Sequence, residues 1–391
     1  MMKKRTALIF IHKSLGELDW IAPFIKSEEA KGIKFYIYLN KMGSNYEEKQ
    51  QILEKYGLNA ENISLLDNKR HSTAIYDFFD KRLQKIKKKV SWCKGLEKFI
   101  RRKNAQLPSY RQQYDFIFRD YQLRYIFELS CFLTANPAAK VIVFPHAVAI
   151  PRINTQFVVD GKPPKVKIDL WLENSIKAYQ LPDVKALFFI SGAPGLSAFY
   201  EMKGLFNPKS TNILINTRNE FELHGCTKEA ALERFEQILD FCQRNSLMAH
   251  IKHHPRDHEL YLYRDIQKKY SCVTEYDGTL TNMTMELRAC LSFFSTSGLF
   301  LSARQVPVID ITPYADFNTL QLLALHYDDG HGKLTNDLME IGVQERLDKL
   351  GVLLSETCLI ALSKSQFKAL KDNFPEASSQ KIINKIKELV N

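Results

Sequence analysis

Three short segments in the second half of the chain combine residue types that bind phosphate groups. The first is Thr217-Arg218-Asn219, which follows the apolar run Asn212–Asn216. An Arg at a turn after a strand presents a planar fork of donors that matches a phosphate, which Lys cannot imitate. The alternative is a solvated loop, in which Arg218 pairs with Glu220 or Glu222, because ion pairs are common at protein surfaces.

The second segment holds four histidines in nine residues, from His250 to His258. A strand would place His250, Lys252 and His254 on one side, and Pro255 would end it. We interpret His254 and Pro255 as a strand end aimed at a phosphate, with Lys252 beside them. A structural zinc site is less favoured, because such sites have tighter ligand spacing and a partner Cys or His elsewhere. Surface histidines without a role are the third interpretation.

The third segment is Ser295-Thr296-Ser297-Gly298, between the predicted strand Cys290–Phe294 and a helical pattern over Leu299–Arg304. Hydroxyls and free backbone N–H groups at the start of a helix form an anion site. A plain Ser/Thr cap is the alternative. Since all three segments follow strands of one domain, together they suit a diphosphate or a phosphodiester.

Candidates for a general base lie in the first half of the chain. The first strand runs into a loop that holds Glu17 and Asp19, and His146 follows a later strand. Asp19 is preferred because it immediately precedes the apolar helix start at Trp20. The alternative for Asp19 is an ordinary acid in a first helical turn, where the helix dipole favours it. For His146 the alternative is a buried structural histidine.

The elements that position these residues form a regular series. Short apolar runs alternate with longer helical patterns such as Lys228–Arg244, which is typical of βα units around a parallel sheet. A chain of 391 residues is too long for one core, so we expect two α/β domains. Ligands of open parallel sheets bind beyond the carboxyl ends of the strands. The predicted strands are Thr6–Ile11, Lys34–Leu39, Asn62–Leu66, Phe116–Phe118, Val141–Phe144, Leu170–Glu173, Ala186–Ile190, Asn212–Asn216, Leu247–Lys252, Cys272–Thr274, Cys290–Phe294 and Val308–Ile311.

The domain boundary is predicted within a hinge at 201–210, which contains Gly204 and Pro208. The domains are then residues 1–205 and 206–375, followed by a terminal helix within 376–391. The composition, with 45% hydrophobic and 25% charged residues, is that of a globular protein. Seven scattered cysteines without a CxxC pair indicate a reduced compartment. With neither a secretory leader nor a membrane span, the expected location is the cytoplasm.

The net charge of +11 is concentrated in one segment. Residues 81–104 contain eleven Lys or Arg and one acid, Glu97. Apolar residues recur there at intervals of three and four, so the pattern predicts a basic amphipathic helix over about 79–104. It suits peripheral contact with an anionic membrane on its inner face, an anionic acceptor glycan, or a charged surface helix. Nucleic acid is not expected, because no binding motif accompanies the charges. The contact residues proposed are Lys85, Lys87, Lys88, Lys89, Arg101 and Arg102.

Taken in order, these motifs resemble the GT-B superfamily of glycosyltransferases, in its bacterial surface-polymer branch. That branch includes capsule Kdo- and sialyltransferases and CDP-glycerol glycerophosphotransferases. His254-Pro255 is similar to its HP motif, Ser295-Thr296-Ser297 to its Ser/Thr motif, and Arg304–Ile309 to the strand that follows. Asp169–Asn174 and Ile190–Gly195 resemble the end of the family's N-terminal domain, although the second stretch lacks the usual Arg and Asp.

The resemblance implies two Rossmann-like domains with parallel sheets facing across a cleft. The first would hold the acceptor and the second the nucleotide donor, and the terminal helix would pack back across the cleft. His254 and the three hydroxyls would hold the donor phosphate in a mechanism without metal or cofactor, insensitive to EDTA. The implied activity is sugar transfer, first from CMP-Kdo or another CMP-linked acidic sugar, to a capsule or lipopolysaccharide glycan. The alternatives are CDP-glycerol or CDP-ribitol transfer, nucleotide-sugar 2-epimerisation, and non-catalytic binding of a nucleotide sugar or glycan.

Overall fold

The computed structural model describes most of the chain. The described residues are 4–11, 16–40, 51, 53–54, 56–59, 61–66, 92–106, 110–120, 126–145, 167–174, 186–217, 227–254, 259–293, 295, 297–313 and 343–390. Of the predicted site residues, Arg218, Pro255, Thr296, His146, Lys85, Lys87, Lys88 and Lys89 lie outside them.

Every strand that the sequence predicts is present among the described residues. The strands are β1 (Arg5–Ile11), β2 (Ile33–Leu39), β3 (Ile63–Leu65), β4 (Phe116–Asp120), β5 (Lys140–Phe144), β6 (Leu170–Glu173), β7 (Leu187–Ile190), β8 (Asn212–Asn216), β9 (Met248–Lys252), β10 (Val273–Glu275), β11 (Ala289–Ser292) and β12 (Val308–Asp310). The largest difference is at β11, which ends before the predicted Phe294, because Ser292 Oγ accepts a hydrogen bond from the Ser295 N–H and turns the chain.

Helices separate most of the strands. The α-helices are α1 (Gly16–Ile25), α2 (Trp92–Asn104), α3 (Phe127–Ala135), α4 (Pro194–Tyr200), α5 (Lys228–Arg244), α6 (Leu260–Gln267), α7 (Ser297–Ala303), α8 (Val343–Leu353), α9 (Glu356–Asn373) and α10 (Ser379–Glu388), with a 3-10 helix at Glu28–Gly32. The prediction for α5 is confirmed at both ends. Thr227 caps this helix, because its Oγ1 accepts from the Ala230 N–H at 3.2 Å. No described helix is long and apolar enough to cross a membrane.

The chain divides into two units. Unit 1 comprises Met1–Gly195 and Pro375–Asn391, and unit 2 comprises Leu196–Phe374. The segment 201–210, predicted as the hinge, is hydrogen-bonded within unit 2, where the Leu205 N–H donates to Arg304 O at 3.1 Å. The C-terminal helix α10 belongs to unit 1 and packs against the 3-10 helix.

Unit 1 is built on seven parallel strands in the order β3-β2-β1-β4-β5-β6-β7. The central strands β1, β4 and β5 are almost wholly buried, which explains why their sequences are mainly apolar, with the buried charged pair Arg119 and Asp120 at the end of β4 as the exception. The return of the chain at Pro375 brings two backbone segments together. Gly192 has φ +69°, and a Cβ there would lie 2.1 Å from Pro375 O, so only glycine fits.

Unit 2 is built on five parallel strands in the order β10-β9-β8-β11-β12. The chain runs from β8 outward to β9 and β10, and then crosses to the other side of β8 for β11 and β12. The order therefore reverses between β8 and β11. In unit 1 the same reversal falls between β1 and β4. Such a topological switch point leaves a crevice at the carboxyl ends of the two strands, where doubly wound folds bind ligands.

Candidate functional site

The switch point of unit 2 is lined by polar side chains that are buried in the protein. Asn216 and Thr217 lie at the end of β8, and Ser292 lies at the end of β11. The two strand ends are tied together, since the Phe293 N–H donates to Asn216 O at 3.1 Å. Buried polar groups at strand ends are uncommon unless they are hydrogen-bonded or hold a ligand, so this edge is the candidate site.

Two of the three predicted hydroxyl residues are in contact at this edge. Ser295 Oγ lies 2.6 Å from Ser297 Oγ, and the Ser297 N–H donates to Ser295 Oγ at 3.4 Å. Helix α7 begins at Ser297 rather than at the predicted Leu299, so the hydroxyl cluster enters its first turn. The structure therefore brings Ser295 and Ser297 together at the end of β11, beside β8.

The predicted strand over His250–Lys252 is confirmed as part of β9, but its side chains have different surroundings. Lys252 Nζ donates to Gly278 O at 2.9 Å and lies 5.8 Å from the centre of the Tyr276 ring. The ammonium group of Lys252 is thus bound to the loop after β10. A direct bond from Lys252 to a phosphate would have to replace this contact.

His250 is held inside unit 2 by hydrogen bonds at both ring nitrogens. Its Nε2 lies 3.0 Å from Asn212 Oδ1, and its Nδ1 lies 2.8 Å from Thr274 Oγ1. A neutral ring with Nε2 protonated satisfies both partners, and burial lowers the pKa of His250 below its usual value. Among the described residues no group of three or more potential metal ligands occurs, and His258 lies outside this set. The two hydrogen bonds give His250 a structural role within unit 2.

The two following histidines complete this strand end. His253 Nδ1 lies 3.1 Å from Thr217 Oγ1, and His253 Nε2 lies 3.0 Å from Gln267 Nε2. His253 is not among the residues predicted from the sequence, although its position in the strand carries one signal. In an extended segment its side chain must point away from the face shared by Lys252 and His254, and hence toward the interior. His254 itself is half-buried.

Two of the base candidates, Glu17 and Asp19, belong to helix α1 of unit 1. Glu17 lies in the first turn of α1 and is fully buried, at 0% exposure. It interacts electrostatically with Arg119, which is buried with Asp120 at the end of β4. Burial lowers the pKa of Arg119, and the two carboxylates oppose that shift. The backbone of Asp19 also lies in α1, next to the unit 1 switch point, and its side chain lies outside the described set.

The polar residues of Asp169–Asn174 support the sheet of unit 1. Asp169 Oδ2 accepts from the Val141 N–H at 2.8 Å, which links the starts of β5 and β6. Asn174 Oδ1 accepts from Trp20 Nε1 at 2.5 Å and anchors α1. These contacts give this stretch a structural role, and through Trp20 it fixes the helix that carries Asp19.

The basic segment is described from its C-terminal half onward. Helix α2 covers Trp92–Asn104 of the predicted 79–104, and the remainder lies outside the described residues. Ile100 packs against the core of unit 1, whereas Arg102 is exposed and Phe99 is 58% exposed. Arg101 is half-buried. The outer surface of α2 thus presents an aromatic ring among cations.

Solved structures resemble the chain over its whole length at low sequence identity. A glycosyltransferase from Rickettsia africae ESF-5 is 11% identical with a TM-score of 0.54, and the match covers 100% of this chain and 99% of that one. S. aureus MnaA, solved with UDP, is 12% identical with a TM-score of 0.54, covering 100% and 97%. The chain has the GT-B fold.

A third match within the GT-B fold is a Listeria monocytogenes protein described as a UDP-N-acetylglucosamine 2-epimerase. It is 12% identical with a TM-score of 0.52, and the match covers 99% of this chain and 95% of that one. No protein-family model and no curated protein sequence matches the chain. The expected GT-B fold is confirmed.

Proposed function

We propose that the protein is a glycosyltransferase that moves a sugar from a nucleotide-activated donor to a glycan or lipid-linked glycan acceptor. The observation that carries this proposal is that His254 follows β9 while Ser295 and Ser297 follow β11, so both groups lie at the carboxyl ends of the two strands that flank β8 in unit 2. GT-B structures bound to nucleotides, such as MnaA with UDP, support a nucleotide ligand for a site of this kind.

In the proposed mechanism, this site binds the phosphate groups of the donor. His254, the hydroxyls of Ser295 and Ser297, and Arg218 donate hydrogen bonds to the phosphate oxygens. The bond between the sugar and the phosphate oxygen breaks, its electron pair stays on the departing nucleotide, and these donors stabilise the developing charge. Asp19 takes the proton from the acceptor hydroxyl, whose oxygen forms the new bond to the sugar. These steps use side chains alone.

For the donor, we infer a CMP-linked acidic sugar such as CMP-Kdo from the HP and Ser/Thr pair, with a capsule or lipopolysaccharide acceptor. A UDP-sugar is the second candidate, because MnaA was solved with UDP. A 2-epimerase remains the principal rival, since the Listeria protein shares the fold. Two further alternative functions are polyol-phosphate transfer from CDP-glycerol or CDP-ribitol, and non-catalytic binding of a nucleotide sugar or glycan.

The test combines binding with product analysis. CMP, CDP, UDP and GDP compounds are screened for a rise in melting temperature, because a ligand at 100 times its Kd stabilises the native state by about 2.7 kcal/mol. The nucleotide that binds is then supplied as its sugar, with and without acceptor glycans. Nucleotide release that requires an acceptor supports transfer. Turnover of the sugar without any acceptor would replace this proposal with epimerisation, and binding without turnover would replace it with a binding protein.

Replacing His254 by Ala should weaken nucleotide binding about 10- to 150-fold, since a lost hydrogen bond to a charged group costs about 1.5–3 kcal/mol. Calorimetric titration measures this directly. His250→Gln is the matched control, because His250 lies on the same strand with both nitrogens bonded inside unit 2. Wild-type affinity in the His254→Ala protein would remove His254 from the donor site.

We also propose that the basic segment holds the enzyme against the inner face of an anionic membrane. Replacing Lys85, Lys87, Lys88 and Lys89 by Gln should then reduce binding to vesicles containing phosphatidylglycerol, with a loss of about 1 kcal/mol per charge. The rate on a short soluble acceptor should barely change. Vesicle co-sedimentation makes the measurement. The control replaces four exposed lysines elsewhere, Lys364, Lys368, Lys381 and Lys387, for the same change in net charge.

Absence of vesicle binding by the wild-type protein would contradict membrane contact. The exposed Phe99 beside Arg102 would then be free to contact an anionic acceptor glycan. A reduced rate on a long acidic acceptor in the same four-lysine variant would identify that second role.

A further inference from the structure

His253 is bonded through both ring nitrogens at the carboxyl edge of unit 2. Its ring links three strand ends and one helix. Nδ1 meets Thr217 after β8, and Nε2 lies 3.5 Å from Glu275 Oε1 at the end of β10. Gln267 of α6 approaches the same nitrogen at 3.0 Å, and the ring packs against Tyr263 with centroids 5.7 Å apart.

The partners of His253 are themselves fixed. Thr217 is 1% exposed, and its N–H donates to Lys252 O at 3.1 Å, which prolongs the β8–β9 ladder to the residue before His253. Glu275 accepts two hydrogen bonds from Arg264, at 2.8 and 2.9 Å. Because both sides of the ring are held by ordered groups, His253 has little freedom to rotate.

The fixed position of His253 constrains the next residue, His254. Neighbouring side chains of an extended segment point to opposite faces. The His253 ring is bonded between Thr217 and Gln267, which fixes the backbone that carries His254. Alternation along the segment then predicts that the His254 side chain points to the other face. A phosphate contact binds more tightly when the group that makes it is already held in position, because less conformational freedom is lost on binding.

We propose that His253, through its hydrogen bond to Thr217, is a positioning residue that orients His254 toward the donor phosphate. This inference rests on the proposed function of His254. His253 and Thr217 touch no ligand in this scheme and act only through their neighbour.

Thr217→Val tests the proposal with the least disturbance, because it keeps the shape of a buried side chain and removes only the hydroxyl that meets His253. Nucleotide binding, measured by calorimetric titration with the best nucleotide of the screen, should weaken about 3- to 10-fold. Thr217→Ser, which restores the hydroxyl, should bind like the wild type. Melting temperatures establish that each variant is folded at the temperature of titration.

A double-mutant cycle with His254→Ala separates positioning from a structural or direct role. If His253 acts through His254, Thr217→Val should change the affinity less than twofold once His254 is absent. His253→Asn provides an independent variant that should show the same loss of effect. An equal weakening in both backgrounds would overturn the proposal, as would wild-type affinity in Thr217→Val alone.

The outcomes also distinguish this inference from the proposed function. If His254→Ala weakens binding and Thr217→Val does not, positioning by His253 is wrong and the donor site stands. If His254→Ala leaves binding unchanged, the donor site is wrong at His254, and the positioning inference fails with it.

Discussion

Replacing Asp19 by Asn should lower turnover by a factor of about 10²–10⁴, the usual contribution of a general base, with the affinity for donor unchanged. Asn keeps the size and hydrogen bonding of the side chain and removes its basicity. Helix α1, which carries Asp19, is anchored through the hydrogen bond of Trp20 to Asn174, so its backbone position should survive the change. Steady-state kinetics with saturating donor and acceptor measures the effect.

Glu17→Gln is the matched control, because it removes one carboxylate from the same helix. Glu17 is fully buried and interacts with Arg119, so its loss leaves a buried cation with less compensation. The free energy of unfolding should therefore fall in this variant, while turnover per folded molecule is retained. Near-normal turnover in Asp19→Asn, with a large loss in Glu17→Gln or in His146→Ala, would transfer the role of base to one of those residues.

Replacing Arg304 by Lys should destabilise unit 2 by about 3–5 kcal/mol, since each lost bond from a charged donor costs about 1.5–3 kcal/mol. Arg304 is buried, with 5% of its surface exposed. Its guanidinium group donates hydrogen bonds to three backbone carbonyls. It bonds Lys203 O through Nε and Nη2, at 3.1 and 3.0 Å, and Leu280 O and Met283 O through Nη1, at 3.1 and 2.8 Å. A Lys ammonium cannot reach all three carbonyls from one position.

The melting temperature of the Arg304→Lys protein should fall by about 6–20 °C, at about 2–4 °C per kcal/mol for a unit of this size. Calorimetry resolves the transition. Arg244→Lys is the control, because Arg244 lies on the surface of unit 2 paired with Asp240, and exposed pairs contribute less than about 1 kcal/mol. A shift in Arg304→Lys as small as in the control would show that the three carbonyls find other partners. A large shift would establish that Arg304, despite its place in a family-like motif, is structural.

Much of the secondary structure follows from the sequence alone. Strands such as β1 and β8 are short apolar runs because parallel strands are buried on both faces, and this pattern is local. Helix α5 has an apolar stripe and a Thr cap, so both of its ends are encoded by neighbouring residues. The same local rules located the Ser295–Ser297 cluster and the strand end at His254.

The order of strands and the direction of side chains were decided by the tertiary structure. No local sequence pattern predicts that β11 lies beside β8, yet this pairing creates the switch point between the two strands. The sequence grouped Lys252 with His254, whereas the Lys252 ammonium is bound to Gly278 O. The sequence pattern gave no role to His253, because its hydrogen-bond partner Thr217 is 36 residues away. Arg304 likewise bonds to Lys203, which is 101 residues away. A strand or helix is specified by hydrogen bonds and burial within a few residues. The role of a polar side chain depends on partners that only chain folding brings within reach.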